Sequence, residues 1–220
     1  MLPLPNHRVV AIDGPAASGK SSVARRLARK LGWLYVNTGA MYRAVTWCVL
    51  QNRISPSDAA AVLSLLERTP LSWGIHGSES SISIGGVDPT PWLRDEEVNA
   101  NVSEVSAIPA VRDILVAAQR DYLAFSDLVM EGRDIGSVVF PDTPFKFYID
   151  ASPSVRARRR ALQGQRDEIS ARDRSDSSRR ASPLIIADDA HILDSSNLTI
   201  DGVAGEIIGL LKLRGLEIED

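Results

Sequence analysis

Only one cysteine, Cys48, occurs in the 220 residues. That excludes an internal disulfide and a cysteine-based metal site. Its apolar, helical surroundings mark it as an inert core residue. Aromatic residues are scarce, at 5%. No apolar run approaches the roughly 20 residues that a membrane-spanning helix needs. The start, Met1-Leu2-Pro3-Leu4-Pro5, lacks the basic stretch and apolar core of a signal peptide. These absences point to the cytoplasm and away from a membrane partner. No internal repeat, coiled-coil heptad or long apolar surface stripe stands out, so a monomer is expected.

The remaining composition suits an ordinary globular core, with 44% hydrophobic and 24% charged residues. The net charge of -3 is unevenly spread. Nine arginines (156, 158, 159, 160, 166, 172, 174, 179 and 180) face four acids between Arg156 and Arg180, a surplus of five. The rest of the chain is therefore about eight negative. The arginine run reads either as an anion-binding element or as a solvated helix surface. The acidic remainder argues against a nucleic acid lying across the molecule.

Apolar runs and breakers alternate as in an α/β protein with a central parallel sheet. Arg8–Asp13 reads as a buried strand. A helix follows from Ser21 to Leu31 and is stopped by Gly32. Trp33–Val36 is a second strand. Helices are expected over Ala40–Leu50 and Ser57–Glu67, the latter started by Ser55-Pro56. Between Leu71 and Pro91 a period-two pattern predicts a small antiparallel insert, with turns at His76-Gly77-Ser78 and Gly85-Gly86. Helices are expected over Trp92–Ser106 and after Pro109. Asp127–Glu131, Lys146–Asp150 and His191–Asp194 read as strands. Residues 153–182 read as arginine-rich helices broken at Gly164. Gly205–Leu213 closes the chain as a helix.

The strongest motif is Gly14-Pro15-Ala16-Ala17-Ser18-Gly19-Lys20-Ser21, which matches G-x-x-x-x-G-K-[ST] in full between a strand and a helix. Glycines let the backbone curl so that its N–H groups point inward at phosphate oxygens. The helix adds its positive N-terminal end. Lys20 can reach the β- and γ-phosphates, and the Ser21 hydroxyl suits Mg2+. The motif predicts phosphate binding and leaves the reaction open. D-x-x-G and N-K-x-D, the patterns by which GTPases sense the γ-phosphate and read guanine, are both missing. A phosphoryl-transfer kinase remains, and it needs a second anion site.

Four groups could build that site: Thr38 to Arg43 after the second strand, Ser103 to Arg112, Glu131 to Asp134 at another strand end, and Arg172/Asp176/Arg179. The last three share one helical face. Carboxyl ends of parallel strands share a crevice, which brings Thr38 and Arg43 beside the glycine loop. Taken singly, each has a structural alternative. Thr38 could cap a helix, Arg133-Asp134 could be a surface ion pair, and Arg172/Asp176/Arg179 could be solvent-facing pairs.

Several motifs together resemble the bacterial cytidylate kinase family, in order over about residues 9–213. They are Ile12-Asp13-Gly14-Pro15, Thr38-Gly39-Ala40-Met41-Tyr42-Arg43, Glu131-Gly132-Arg133-Asp134-Ile135-Gly136, Val138-Val139-Phe140-Pro141-Asp142, the run Arg172–Arg179, Ser182-Pro183-Leu184 and Ala187-Asp188-Asp189-Ala190. Asn37, Thr38 and Glu131 stand where Asp, Ser and Asp are common in that family.

The resemblance implies a single P-loop domain over 1–220. An insert over about 66–95 would lie within a monophosphate-binding region over about 38–112, and a lid would span about 155–180. It implies transfer from ATP, with Mg2+, to CMP or dCMP. The ATP contacts would be Gly14 to Ser21, Ser22, Arg156 and Arg160, and the metal contact Ser21. Arg43 and Arg133 match residues that hold the acceptor phosphate. Ser103, Arg112 and Asp134 match those that read cytosine; Arg172 and Asp176 match the sugar contacts; Arg179 matches a further arginine reaching the nucleotide. Thr38 belongs to the same acceptor set. Lys20, Arg133, Arg159 and Arg179 would serve the transferring group. Other acceptors (UMP, shikimate, dephospho-coenzyme A) and a non-catalytic nucleotide or RNA binder are the alternatives.

Overall fold

The computed structural model describes residues 7–162, 173 and 184–218. Gly164, Arg172, Asp176 and Arg179, with most of the expected lid, lie outside the described residues.

The chain runs β1 (Val9–Asp13), α1 (Lys20–Leu31), β2 (Leu34–Asn37), α2 (Thr38–Gln51), α3 (Ala59–Arg68), β3 (Leu71–His76), β4 (Glu79–Ile84), α4 (Glu96–Val105), α5 (Pro109–Asp121), β5 (Leu128–Gly132), β6 (Phe145–Asp150), α6 (Pro153–Leu162), β7 (His191–Asp194) and α7 (Ile200–Leu213). The strands form one sheet in the order β3-β4-β2-β5-β1-β6-β7. All pairings are parallel except β3 with β4. The fold class is therefore the α/β one expected.

β1 explains why the sheet carries a layer on each face. All five of its residues are buried. Val9 and Ala11 join one apolar cluster with α2, α3, α4 and α5, while Val10 and Ile12 join another with α1 and α7. Side chains alternate along a strand, so an unbroken apolar run is what two covered faces require. Cys48 is buried within the first cluster, as its surroundings predicted, and burial raises its thiol pKa.

The expected insert is a hairpin, with Gly77 at φ 63° in its turn. It is not a separate unit. β4 pairs in parallel with β2 at Tyr35 and Glu79, so the hairpin extends the main sheet.

Several boundaries moved because capping side chains decide them. The α2 cap is Asn37, whose carboxamide oxygen accepts from Ala40 N at 3.0 Å, so Thr38 is inside the helix. The α3 cap is Asp58, which accepts from Ala61 N at 3.0 Å, so that helix starts at Ala59. The long helix expected from Trp92 breaks at Asp95, in extended backbone, into a 3-10 turn (Thr90–Trp92) and α4. Thr199 caps α7 through Gly202 N, so the helix begins at Ile200, five residues before the expected start. A wide π-type turn, Ile135–Val139, has no helical or strand pattern and went unpredicted.

Candidate active site

The glycine loop leaves the middle of the sheet between β1 and α1. Gly14 has φ 152°, and a Cβ there would lie 2.1 Å from the Ile149 carbonyl oxygen. Only glycine fits so close to a neighbouring strand. Ala17, at φ 58°, and Gly19, at φ 89°, continue the curl. Left-handed backbone at Ala17 costs of order 1 kcal/mol. Lys20 is buried and folds back over the loop, its Nζ donating to Pro15 O at 3.1 Å.

The outer side of the loop is braced. Ser18 O accepts from Ser195 Oγ at 2.7 Å and from Arg159 Nη1 at 3.2 Å. Arg159 Nη2 also donates to Ser195 O at 2.7 Å. Arg156 Nη1 donates to Ala16 O at 3.3 Å and pairs with Asp173. Arg156 and Arg159 therefore stand behind the loop as braces in this arrangement. Of the three α6 arginines singled out from sequence, Arg160 is the one that lines the cleft.

The inner side opens on a cleft of about 740 Å³, within the usual size range of small-molecule sites. Its floor is the end of β5. Glu131 is buried, and its Oε1 accepts from Ser21 Oγ at 2.8 Å and from the Tyr35 hydroxyl at 3.4 Å. Burial, followed by the nearby Glu131 charge, pushes the Tyr35 phenol pKa well up, so it stays a donor. Thr38 Oγ1 donates to Glu131 O at 2.9 Å. Ser21 and Glu131 place two hard oxygens beside the phosphate loop. That donor set fits Mg2+, which takes few protein ligands and completes its shell with phosphate and water.

The same cleft collects the predicted acceptor residues. Thr38, Arg43, Ser103, Arg112, Arg133 and Asp134 all line the cleft. Arg112 and Asp134 form a fully buried ion pair. Arg112 also lies 5.5 Å from the Tyr42 ring centre and donates to Ser106 O at 3.4 Å. Its Nε is buried and has no hydrogen-bond partner among the described residues. Such a planar guanidinium can offer donors to an acceptor edge, while a carboxylate takes an amine. Arg133 Nη1 lies 3.4 Å from Gly132 O, at the end of β5.

Sequence reasoning missed two residues here. Asn99 is buried on α4; its Oδ1 accepts from Arg43 Nε at 3.3 Å, and its Nδ2 donates to Arg94 O and Asp95 O. It therefore holds Arg43, whose Nη1 donates to Gly39 O at 2.9 Å. Asp13 is buried at the base of the loop and accepts from Ile135 N and Gly136 N, both at 2.8 Å. Burial pushes its carboxyl up to about 7, against the pull of those two amides. Asp13 lies within a quoted motif that carried no role. Asn99 had no sequence signal.

A phosphate loop at the centre of a parallel sheet, facing a cleft walled by arginines and a paired carboxylate, defines a P-loop nucleotide-binding protein. The family model described as cytidylate kinase matches residues 10–213. The chain belongs to the cytidylate kinase family. It is 45% identical over 213 residues to a cytidylate kinase of Desulforamulus reducens, covering 92% of this chain and 96% of that one. It is also 45% identical over 216 residues to one of Corynebacterium glutamicum, covering 93% and 94%. A bifunctional pantoate ligase/cytidylate kinase of a Synechococcus species is 42% identical over 217 residues, which cover 93% of this chain and 42% of that protein. Among solved structures, a shikimate kinase of Bacteroides thetaiotaomicron aligns over 95% of this chain and 99% of its own, at 14% identity and a TM-score of 0.45.

Proposed function

We propose that the chain transfers the γ-phosphoryl group of ATP to CMP or dCMP, giving ADP and CDP or dCDP. The observation that carries the reading is the buried Arg112–Asp134 pair lining the same cleft as the glycine loop. Cytosine presents an amine beside two acceptors, N3 and O2. A carboxylate suits the first and a guanidinium the others. Uracil reverses part of that edge and would leave buried groups unpaired, at about 1–3 kcal/mol each.

The residues divide the work by position. The backbone N–H groups from Ala16 to Ser22 and the Lys20 ammonium grip the triphosphate of ATP. Arg43, held by Asn99, and Arg133 take the acceptor phosphate at the ends of β2 and β5. Ser103 and Thr38 add hydroxyls to the acceptor wall, and Arg160 reaches the cleft from α6. Arg156 and Arg159 keep the loop in shape from behind. Arg172, Asp176 and Arg179 keep their assignment to the sugar and the transferring phosphate through the family. Mg2+, bound by Ser21 with Glu131 in reach, would neutralise charge on the phosphates. Phosphoryl transfer asks mainly for alignment and charge neutralisation, which these groups supply.

One chain carries both walls of the cleft, which supports action as a monomer. No described helix is long and apolar enough to cross a membrane. We place the activity in the cytoplasm, without a nucleic-acid partner. An acceptor panel in a coupled ADP-release assay tests the reading. CMP and dCMP should support rapid turnover, UMP should be a poor acceptor, and shikimate should be inert. Equal use of UMP, or ADP release without any acceptor dependence, overturns it.

A further inference from the structure

Asp13 is the last residue of β1 and directly precedes Gly14, yet its hydrogen bonds do not go to the glycine loop, whose Lys20 acts on it only through charge. Only 6% of it is exposed. Among the described residues, both of its hydrogen bonds go to the loop after β5: Oδ1 accepts from Ile135 N and Oδ2 from Gly136 N, each at 2.8 Å. These amides follow Asp134, the partner of Arg112. Asp134 sits at φ -148°, ψ 26°, and its carbonyl accepts from Val138 N and Val139 N at 2.9 and 3.2 Å. The first amides of any helical turn lack acceptors within the turn, and Asp13 supplies them. A carboxylate with one N–H on each oxygen is fixed in direction as well as in place.

We propose that Asp13 is a positioning residue for acceptor recognition: by holding Ile135 and Gly136 it fixes Asp134 against Arg112, and through that pair it sets the preference for cytosine over uracil. The proposal rests on the reading that Arg112 and Asp134 face the base. It goes beyond that reading because Asp13 lies under the donor loop and touches neither base reader's side chain by hydrogen bond. Position in the chain would assign it to ATP. Its bonds assign it to the acceptor.

Asp13→Asn tests this with little change in volume. The new amide turns an N–H toward one of the two backbone N–H groups, donor against donor, so one bond is lost. The KM for CMP should rise about tenfold, and the CMP-over-UMP ratio of kcat/KM should fall about tenfold. The KM for ATP should stay within about twofold, and kcat at saturating CMP should change less than the KM. On an Asp134→Asn background, Asp13→Asn should change the CMP-over-UMP ratio by less than about twofold, because the two act as one unit.

Gly136→Ala is the second variant, for use even if Asp13→Asn does not fold. A Cβ there would meet Asp13 Oδ2 at an ordinary 3.5 Å but crowd Lys146 Cδ and Cγ at 3.1 and 3.2 Å, a buried side chain held by Pro141 O and Asp189, so the Gly136 backbone has to shift relative to Asp13 without loss of the carboxylate. It should shift the same two ratios in the same direction by a smaller factor. The proposal is overturned if either folded variant leaves the CMP-over-UMP ratio intact, raises the KM for ATP as much as that for CMP, or multiplies fully with Asp134→Asn. A different result separates the underlying reading: if Asp134→Asn and Arg112→Ala both leave the ratio unchanged, the base assignment itself is wrong, and this proposal falls with it.

Discussion

Ser21 Oγ donates to Glu131 Oε1 across 2.8 Å, so the hydroxyl that ends the glycine loop meets the carboxylate that ends β5. The first turn of α1 and the end of β5 thus converge on one point where a cation accompanying ATP fits. Glu131→Gln keeps the shape and removes the charge. It should raise the Mg2+ concentration for half-maximal rate roughly tenfold, with ATP and CMP held saturating. A titration of rate against free Mg2+ that superimposes on that of the unaltered protein contradicts a role for Glu131.

Lys20 places a buried ammonium inside the curl of the loop. Lys20→Ala should lower kcat about 100-fold or more. It should leave the circular dichroism spectrum unchanged, because the loop is also held by Arg156, Arg159 and Ser195. Retained turnover in a folded variant removes Lys20 from the mechanism.

Arg112→Ala should raise the KM for CMP about tenfold or more while ATP binding changes little. It should also destabilise the protein by about 3–5 kcal/mol, since Asp134 would be left buried without its partner. Kinetics and thermal melting read the two effects separately. Intact CMP kinetics would show that the base is read elsewhere.

Asp13 predicts a pH effect with a definite sign. Its carboxyl is raised from 3.8 to about 7 by burial, aided by Asp134 and opposed by the Ile135 and Gly136 amides and by Lys20. The folded state therefore holds this proton more tightly than the unfolded chain. The contribution to stability is complete below about pH 4 and is lost as the pH rises toward about 7. Asp13→Asn lacks this titration. The melting temperature of the unaltered protein minus that of the variant should therefore shrink between about pH 4 and pH 7, the window set by that shift. A difference that grows with pH would mean that the two amide bonds outweigh burial.

Much of this arrangement could be read from local pattern. The glycine loop announced itself by residue type and by the strand and helix that flank it. Gly32 stopped α1 as expected, its N–H bonding back to Ala28 O. The proposed acceptor residues came from motifs, each of which alone fitted a bland structural role, and those among the described residues line the cleft. What stayed hidden depends on distant contacts. Asn99 is one polar residue on a helix face, and only the fold shows that it reaches Arg43. Arg159 looked like a phosphate ligand because arginine beside a phosphate loop fits that role. Its contacts to the carbonyls of Ser18 and Ser195 were not legible in the sequence. Gly202, Gly205 and Gly209 disguised α7, whose buried Val203, Ala204, Ile207 and Leu211 outweigh poor helix propensity.

The pairing of β1 with β5 carries a last consequence. The ladder matches Val9 with Leu128 through to Asp13 with Gly132, so the glycine loop and the loop after β5 start from paired residues on adjacent strands. Adjacent strands keep a spacing of about 4.8 Å. A slip of one residue would turn every side chain of β1 to the opposite face. The sheet therefore works as a ruler beneath the reaction. It sets the separation of the two loops before any ligand arrives, and it forbids them to slide past each other. Any closing motion around the nucleotides has to come from the walls, because the floor is already measured out.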